Sequence, residues 1–150
     1  MQLMKNVMIA TAMLISAPMA LPTAAMAQES PLVAGDYAEV GGIFVKDGGT
    51  LKYAMHIAGD WKKSQEFAKS QGWITDYKIY VAENPRDGEP NVYLMTTFAS
   101  LPDAAETVRR DKAYDAWVKT TNAQRDAASG NRAEYRTLKG SMLLREYKVR

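Results

Sequence analysis

Residues 73–99 read WITDYKIYVAENPRDGEPNVYLMTTFA, and this stretch decides the fold. Two runs rich in aromatic and β-branched residues, 73–82 and 91–99, flank the cluster Asn84-Pro85-Arg86-Asp87-Gly88. Proline fixes φ and glycine admits positive φ, so the cluster is a turn and the two runs form a β-hairpin. Upstream, residues 51–71 change to helical spacing. Leu51, Ala54, Met55, Ala58, Trp61 and Ala68 fall on one stripe, with Lys62, Lys63, Glu66 and Lys69 mostly on the other side. Thr50 is the expected N-cap and Gly72 the stop, while Gly59-Asp60 marks a point where the helix kinks or divides.

Working outward, residues 37–45 make a strand whose Gly41-Gly42 pair suggests a bulge or a close backbone approach. Pro102-Asp103 opens a helical region over about 104–138, with breaks expected near 119–122 and at Ser129-Gly130. Gly140 ends that region, and 141–149 is the last strand. The order β-α-β-β-α-β is the ferredoxin-like split βαβ arrangement of the α+β class. Right-handed crossovers give a four-stranded antiparallel sheet of order 4-1-3-2 with the helices on one face.

The first 27 residues belong to a different class. Lys5 precedes the short apolar run VMIATAMLI, residues 7–15, and Ala25-Met26-Ala27 supplies the small residues of a cleavage site. This is the pattern of a secretory signal peptide, and the apolar run falls short of the roughly 20 residues needed to span a bilayer. The expected division is a signal at 1–27, a flexible lead at 28–36 and one domain at 37–150, located in the periplasm or the medium with no membrane span after cleavage. Of 19 basic and 17 acidic residues, one base and no acid lie before residue 28, leaving 18 against 17 beyond it. Such a near-neutral domain has no field suited to nucleic acid. There is no cysteine, which excludes disulfides and a lipoprotein anchor, and one histidine, which argues against a dedicated zinc or copper site. No phosphate-cradling glycine loop, nucleophile elbow or paired-carboxylate metal spacing occurs, so no metal and no cofactor is expected.

A sheet with helices on one side should alternate apolar and polar residues. Here Met142 and Leu144 oppose Leu143, Tyr147 and Val149, while Val92, Leu94 and Phe98 oppose Tyr93 and Met95. Both faces are apolar, so the helix-free face needs a cover, and the simplest is a second copy related by a two-fold axis.

The segment GDWKKSQEFAKSQGWITDYKIYVAENPRDGEPNVYLMTTFASLPDAAE, residues 59–106, with the tail LKGSMLLREYKVR, residues 138–150, resembles the dimeric α+β barrel superfamily, closest to small exported members with no assigned reaction. The resemblance covers nearly all of 37–149. It implies a homodimer whose two ferredoxin-like sheets pack face to face and a cavity for a small hydrophobic or aromatic ligand. The chemistry it allows is a cofactor-independent monooxygenase or isomerase reaction. A different class of reading is a non-catalytic dimeric interaction module of the cell envelope.

Three residues are candidates for catalysis. Glu39 sits mid-way along the central strand between Val40 and Ile43, where an unpaired carboxylate would be costly to bury, and Arg145 on the neighbouring strand could hold it bidentately. The two either line a cavity, Glu39 as base and Arg145 as anion holder, or form a structural ion pair or dimer contact. His56 reads from its position as a boundary histidine one turn from Asp60. The resemblance implies a second role, since a helix histidine is the axial ligand in haem-binding relatives, but the Asn-Trp-His constellation of the haem-degrading branch is missing. Trp61, Tyr77 and Tyr93 are the expected ligand-binding aromatics.

Overall fold

A computed structural model describes residues 29–150; the signal-peptide reading of residues 1–27 lies outside the described residues. In chain order the elements are β1 (Leu32–Val45), α1 (Thr50–His56), a π-helical turn (Ile57–Trp61), α2 (Lys62–Ser70), β2 (Asp76–Val81), β3 (Val92–Phe98), α3 (Ala104–Val118), α4 (Asn122–Arg132) and β4 (Arg136–Val149). The strands form one antiparallel sheet of order β2-β3-β1-β4, the expected 4-1-3-2 read from the opposite edge. The fold is α+β, and its sheet is compatible with the ferredoxin-like pattern.

The register assigns every side chain to a face, because residues opposite one another across a ladder point the same way. One face carries the rungs Val81–Val92–Ile43–Leu138, Ile79–Leu94–Gly41–Ser141 and Tyr77–Thr96–Glu39–Leu143. The other carries Tyr80–Tyr93–Gly42, Lys78–Met95–Val40–Met142 and Thr97–Ala38–Leu144. Helices cover the middle of the first face and leave Leu138, Leu143 and Val81 toward its edges exposed. Tyr53 of α1 is 1% exposed and packs with Ile43 and Val45, while Ile57, Val92, Leu94 and Tyr135 close around them. From α2, Gln65 Oε1 accepts a hydrogen bond of 3.0 Å from Thr96 Oγ1. On the second face Met142 is 52% and Leu144 47% exposed.

The later helices are held by their neighbours. α3 docks on α2 through aromatic contacts: Trp117 stacks on Phe67 at 4.5 Å, and Tyr114 Oη lies 3.0 Å from Ser64 Oγ. Asp103 caps α3 by accepting from the Glu106 amide, and Lys119, at φ 56°, ends it. Thr121 and Gln124 form a capping box that starts α4. At the end of α4, Lys46 Nζ donates to the Ala133 and Glu134 carbonyls, groups a helix C-terminus leaves without partners.

Several expectations need correction. β1 begins at Leu32, not at 37, because Leu32, Val33 and Ala34 find ladder partners in Val149, Lys148 and Tyr147; most of the expected lead is strand. α4 passes Ser129-Gly130 without a break and stops at Arg132, six residues before the expected end. Gly140 lies inside β4, where its φ of 97° accommodates a bulge. Ladder pairing slips there, between Gly41 and Ile43 of β1, so the irregularity expected at Gly41-Gly42 exists but its extra residue is on β4. The helical stripe is also mis-phased: Leu51 is 73% and Met55 68% exposed, while Tyr53, outside the stripe, is the buried residue. The π turn accounts for this, since its wider spiral shifts the phase of α2 against α1 and no single 3.6-residue stripe fits both. Gly49, not Thr50, occupies the N-cap position.

Gly49 is there for space. A Cβ on it would lie 2.7 Å from the Tyr135 carbonyl oxygen and 3.0 Å from that of Lys46, whereas a Cβ on Gly59, in the π turn, would meet nothing within 4 Å. Gly49→Ala should therefore destabilise by about 1–3 kcal/mol, and Gly59→Ala should stabilise by about 0.5–1 kcal/mol through the reduced freedom of the unfolded chain. Urea unfolding of the two variants tests this; effects of the same sign would contradict it.

Candidate functional site

A cleft of about 530 Å³ opens between the α1–π-turn segment and the β2–β3 hairpin. The alternation of β2 sends Tyr77, Ile79 and Val81 into it, Val92 and Val45 form its floor, and Ala54, Ile57 and Ala58 form the opposite wall. The space follows from residue size: alanines at 54 and 58 place methyl groups where the facing strand presents Ile79 and Val81. Polar groups are few. Asn91 is locked, with Nδ2 donating to the Val45 carbonyl and Oδ1 accepting from the Val45 amide, both at 2.8 Å. Thr50 and Lys62 also line the cleft. An apolar chamber with a few polar groups suits a small organic molecule.

Of the expected ligand-binding aromatics, two come together. Trp61 meets Tyr77 edge to face at 5.4 Å, and Tyr77 lines the cleft while its hydroxyl donates to Glu66 Oε1. That carboxylate, with burial added, pushes the Tyr77 phenol above its ordinary pKa. Tyr93, between Gly42 and Tyr80, points to the opposite face of the sheet, because its neighbour Val92 faces the cleft.

Glu39 and Arg145 are not joined. Opposite Glu39 stand Thr96 and Leu143, and Arg145 is one rung further, opposite Tyr37. Its guanidinium lies 4.7 Å from the Tyr37 ring centroid and its Nε donates to the Gly35 carbonyl at 3.4 Å. Glu39 is exposed rather than buried, so its mid-strand carboxylate stays hydrated and needs no partner. Neither residue lines the cleft, and nor does His56.

His56 belongs to a second group of residues. It lies 5.8 Å from the Tyr53 ring, with Nδ1 3.9 Å from Asp60 Oδ2. Burial holds its pKa below the ordinary imidazole value; the Arg132 and Arg136 guanidiniums push the same way, and Asp60 pushes back. Burial raises the pKa of the Tyr53 phenol, against the pull of Arg136 and Arg132. Sequence reasoning missed Tyr53, Asn91, Arg132 and Arg136. Tyr53 and Ile57, four residues apart, offered an alternative apolar phase for the helix; nothing local flagged the other three. Among the described residues no cluster of histidine, cysteine or carboxylate side chains could hold a metal ion, and no helix is long and apolar enough to cross a membrane.

His56 is the only histidine in the sequence. Because folding lowers its pKa, the unfolded chain binds the proton more readily. Its contribution to stability is therefore complete above about pH 6.5 and declines as pH falls through that value toward 5. Melting temperatures recorded between pH 7.5 and 5 should fall for the natural protein and fall less for His56→Gln; parallel curves would refute the assignment.

Neither a protein-family model, nor a curated protein, nor a solved structure matches this chain.

Proposed function

We propose that this is an exported ligand-binding protein whose cleft takes a small hydrophobic or aromatic molecule, and that it works as a face-to-face homodimer of the α+β barrel type. The observation that carries the binding reading is the cleft itself: about 530 Å³, walled by Ile79, Val81, Val92, Ala54 and Ala58, with Tyr77 at its edge held by Trp61 from outside the lining. That volume lies within the roughly 300–1,000 Å³ usual for small-molecule sites. Export rests on the sequence pattern of residues 1–27. The dimer is supported by the second face of the sheet, where Val40, Met95, Met142 and Leu144 form an apolar centre with Met142 and Leu144 about half exposed.

The polar side chains lining the cleft are Thr50, Tyr53, Lys62, Tyr77 and Asn91, and Glu39, His56 and Arg145 lie elsewhere. An isomerase or cofactor-independent monooxygenase reaction in this cleft would draw its proton-moving group from Lys62 or a tyrosine phenol. A non-catalytic module acting through its exposed sheet face is the second reading, and ligand binding separates the two.

The test uses a neutral aromatic dye, N-phenyl-1-naphthylamine, titrated against the protein and followed by fluorescence. Saturable binding is expected, weakened about tenfold or more in Ala58→Trp, whose indole fills the cleft. Val108→Gln, on the exposed surface of α3, should leave it unchanged. Equal affinity in Ala58→Trp, with its fold intact by circular dichroism, would remove the cleft from the account.

A further inference from the structure

The helix side of the cleft is lined, in chain order, by Thr50, Tyr53, Ala54, Ile57, Ala58 and Lys62. These positions span α1, the π turn and the first residue of α2, so this wall runs on the order of 15–18 Å along the helix, and Lys62 closes it. Tyr77 marks the same end on the strand side, because its ring meets that of Trp61, the residue before Lys62. Between the ends the walls are hydrocarbon, with Ala54, Ile57 and Ala58 on one side and Ile79, Val81 and Val92 on the other.

The polar residues of the lining differ in what already occupies them. Asn91 gives both ends of its amide to the Val45 backbone, and the Tyr77 hydroxyl donates to Glu66 Oε1. The Tyr53 hydroxyl is buried, and Thr50 is exposed and neutral. Lys62 is the one charged residue of the lining. Among the described residues its ammonium makes neither a hydrogen bond nor an ion pair. Other lysines find partners: Lys46 in the Ala133 and Glu134 carbonyls, and Lys52, Lys69 and Lys148 in carboxylates. The acids at the Lys62 end are engaged, Asp76 with Lys69 and Glu66 with Tyr77, and neither lines the cleft. A lysine that is exposed and yet lines an apolar chamber lays its four-carbon stem on the wall and keeps its charge in water.

We propose, resting on the reading of the cleft as a ligand site, that its ligand is an amphipathic carboxylate. The apolar body, aliphatic or aromatic, lies between the helix wall and β2, and the carboxylate meets the Lys62 ammonium. One cation at one end of an apolar chamber is complementary to that pattern. A lone ammonium is a point charge matched by a singly charged head group. A phosphate dianion would call for a guanidinium fork or a second cation, and the lining has neither. Lys62 thus acts as a specificity residue, selecting among apolar molecules that the walls alone would accept.

Displacement of bound N-phenyl-1-naphthylamine by three ten-carbon chains, decanoate, 1-decanol and decylamine, at neutral pH and low salt tests this. Decanoate should bind tightest, 1-decanol about fivefold more weakly and decylamine weakest, with the margins shrinking at high salt. Lys62→Gln should remove the margin of decanoate over 1-decanol while leaving the affinity for the neutral dye unchanged, and Lys62→Glu should reverse the order in favour of decylamine. Lys63→Gln, at an exposed neighbour outside the lining, makes the same change in net charge and should leave the order intact. A protein that binds the dye but takes decanoate no better than 1-decanol would overturn the inference and leave the cleft reading standing. So would a decanoate margin that survives Lys62→Gln, or one lost equally in Lys63→Gln. A protein that binds no dye would overturn both.

Discussion

The structure depends on one contact: Tyr53, from the first full turn of α1, driven against Ile43 and Val45 at the end of β1. Burying an aromatic and two β-branched side chains there contributes on the order of 1.5–3 kcal/mol each. It also fixes where the helix lies. The close turn at Gly49 and the Lys46 amide bonded to the Tyr135 carbonyl hold α1 near the β1–β4 side of the sheet. With α1 anchored there, its Ala54–Ala58 flank stands off from Ile79 and Val81 of β2, and the cleft is the space that remains. The π turn is part of the same geometry, re-phasing the helix so that Trp61 reaches Tyr77 while Gln65 of α2 reaches Thr96.

The same contact exposes how little one chain encloses. Ile43, Val45 and Tyr53 are the fully buried apolar residues among those described, far fewer than a domain of this size usually buries. The strand ends Leu32, Val33 and Val149 are exposed, as are Met142, Leu143 and Leu144 in the middle of β4. A central strand paired on both sides is saturated in hydrogen bonds, so what the sheet lacks is apolar cover. In the proposed dimer a second copy laid on Val40, Met95, Met142 and Leu144 would cover the helix-free face, though not Leu143, which lies on the other.

The fold was largely legible in the sequence because its signals are local. The Asn84–Gly88 turn, the aromatic and β-branched runs on either side and the Asp103 cap each act within a few residues, and both hairpin strands and the sheet order follow. The errors came where distant partners decide the outcome. Leu32, Val33 and Ala34 read as a mobile lead because only Tyr147, Lys148 and Val149 make them a strand. Glu39 and Arg145 were matched by type, but the regular ladder sets Leu143 against Glu39 and Arg145 against Tyr37. The site was half legible. Trp61 and Tyr77 stand out as aromatics at the right places, whereas Lys62 looks like any surface charge until the fold sets it in the lining of the cleft. The π turn, which has no firm sequence signature beyond Gly59-Asp60, concealed the true buried phase of the helix.

Sedimentation velocity over a range of protein concentrations tests the proposed completion of the sheet by a second copy. The natural protein should sediment as a dimer, and the double variant Met95→Lys, Met142→Lys, with charges added to the centre of the helix-free face, as a folded monomer. A natural protein that stays monomeric at all concentrations, or a double variant that remains dimeric, would contradict it.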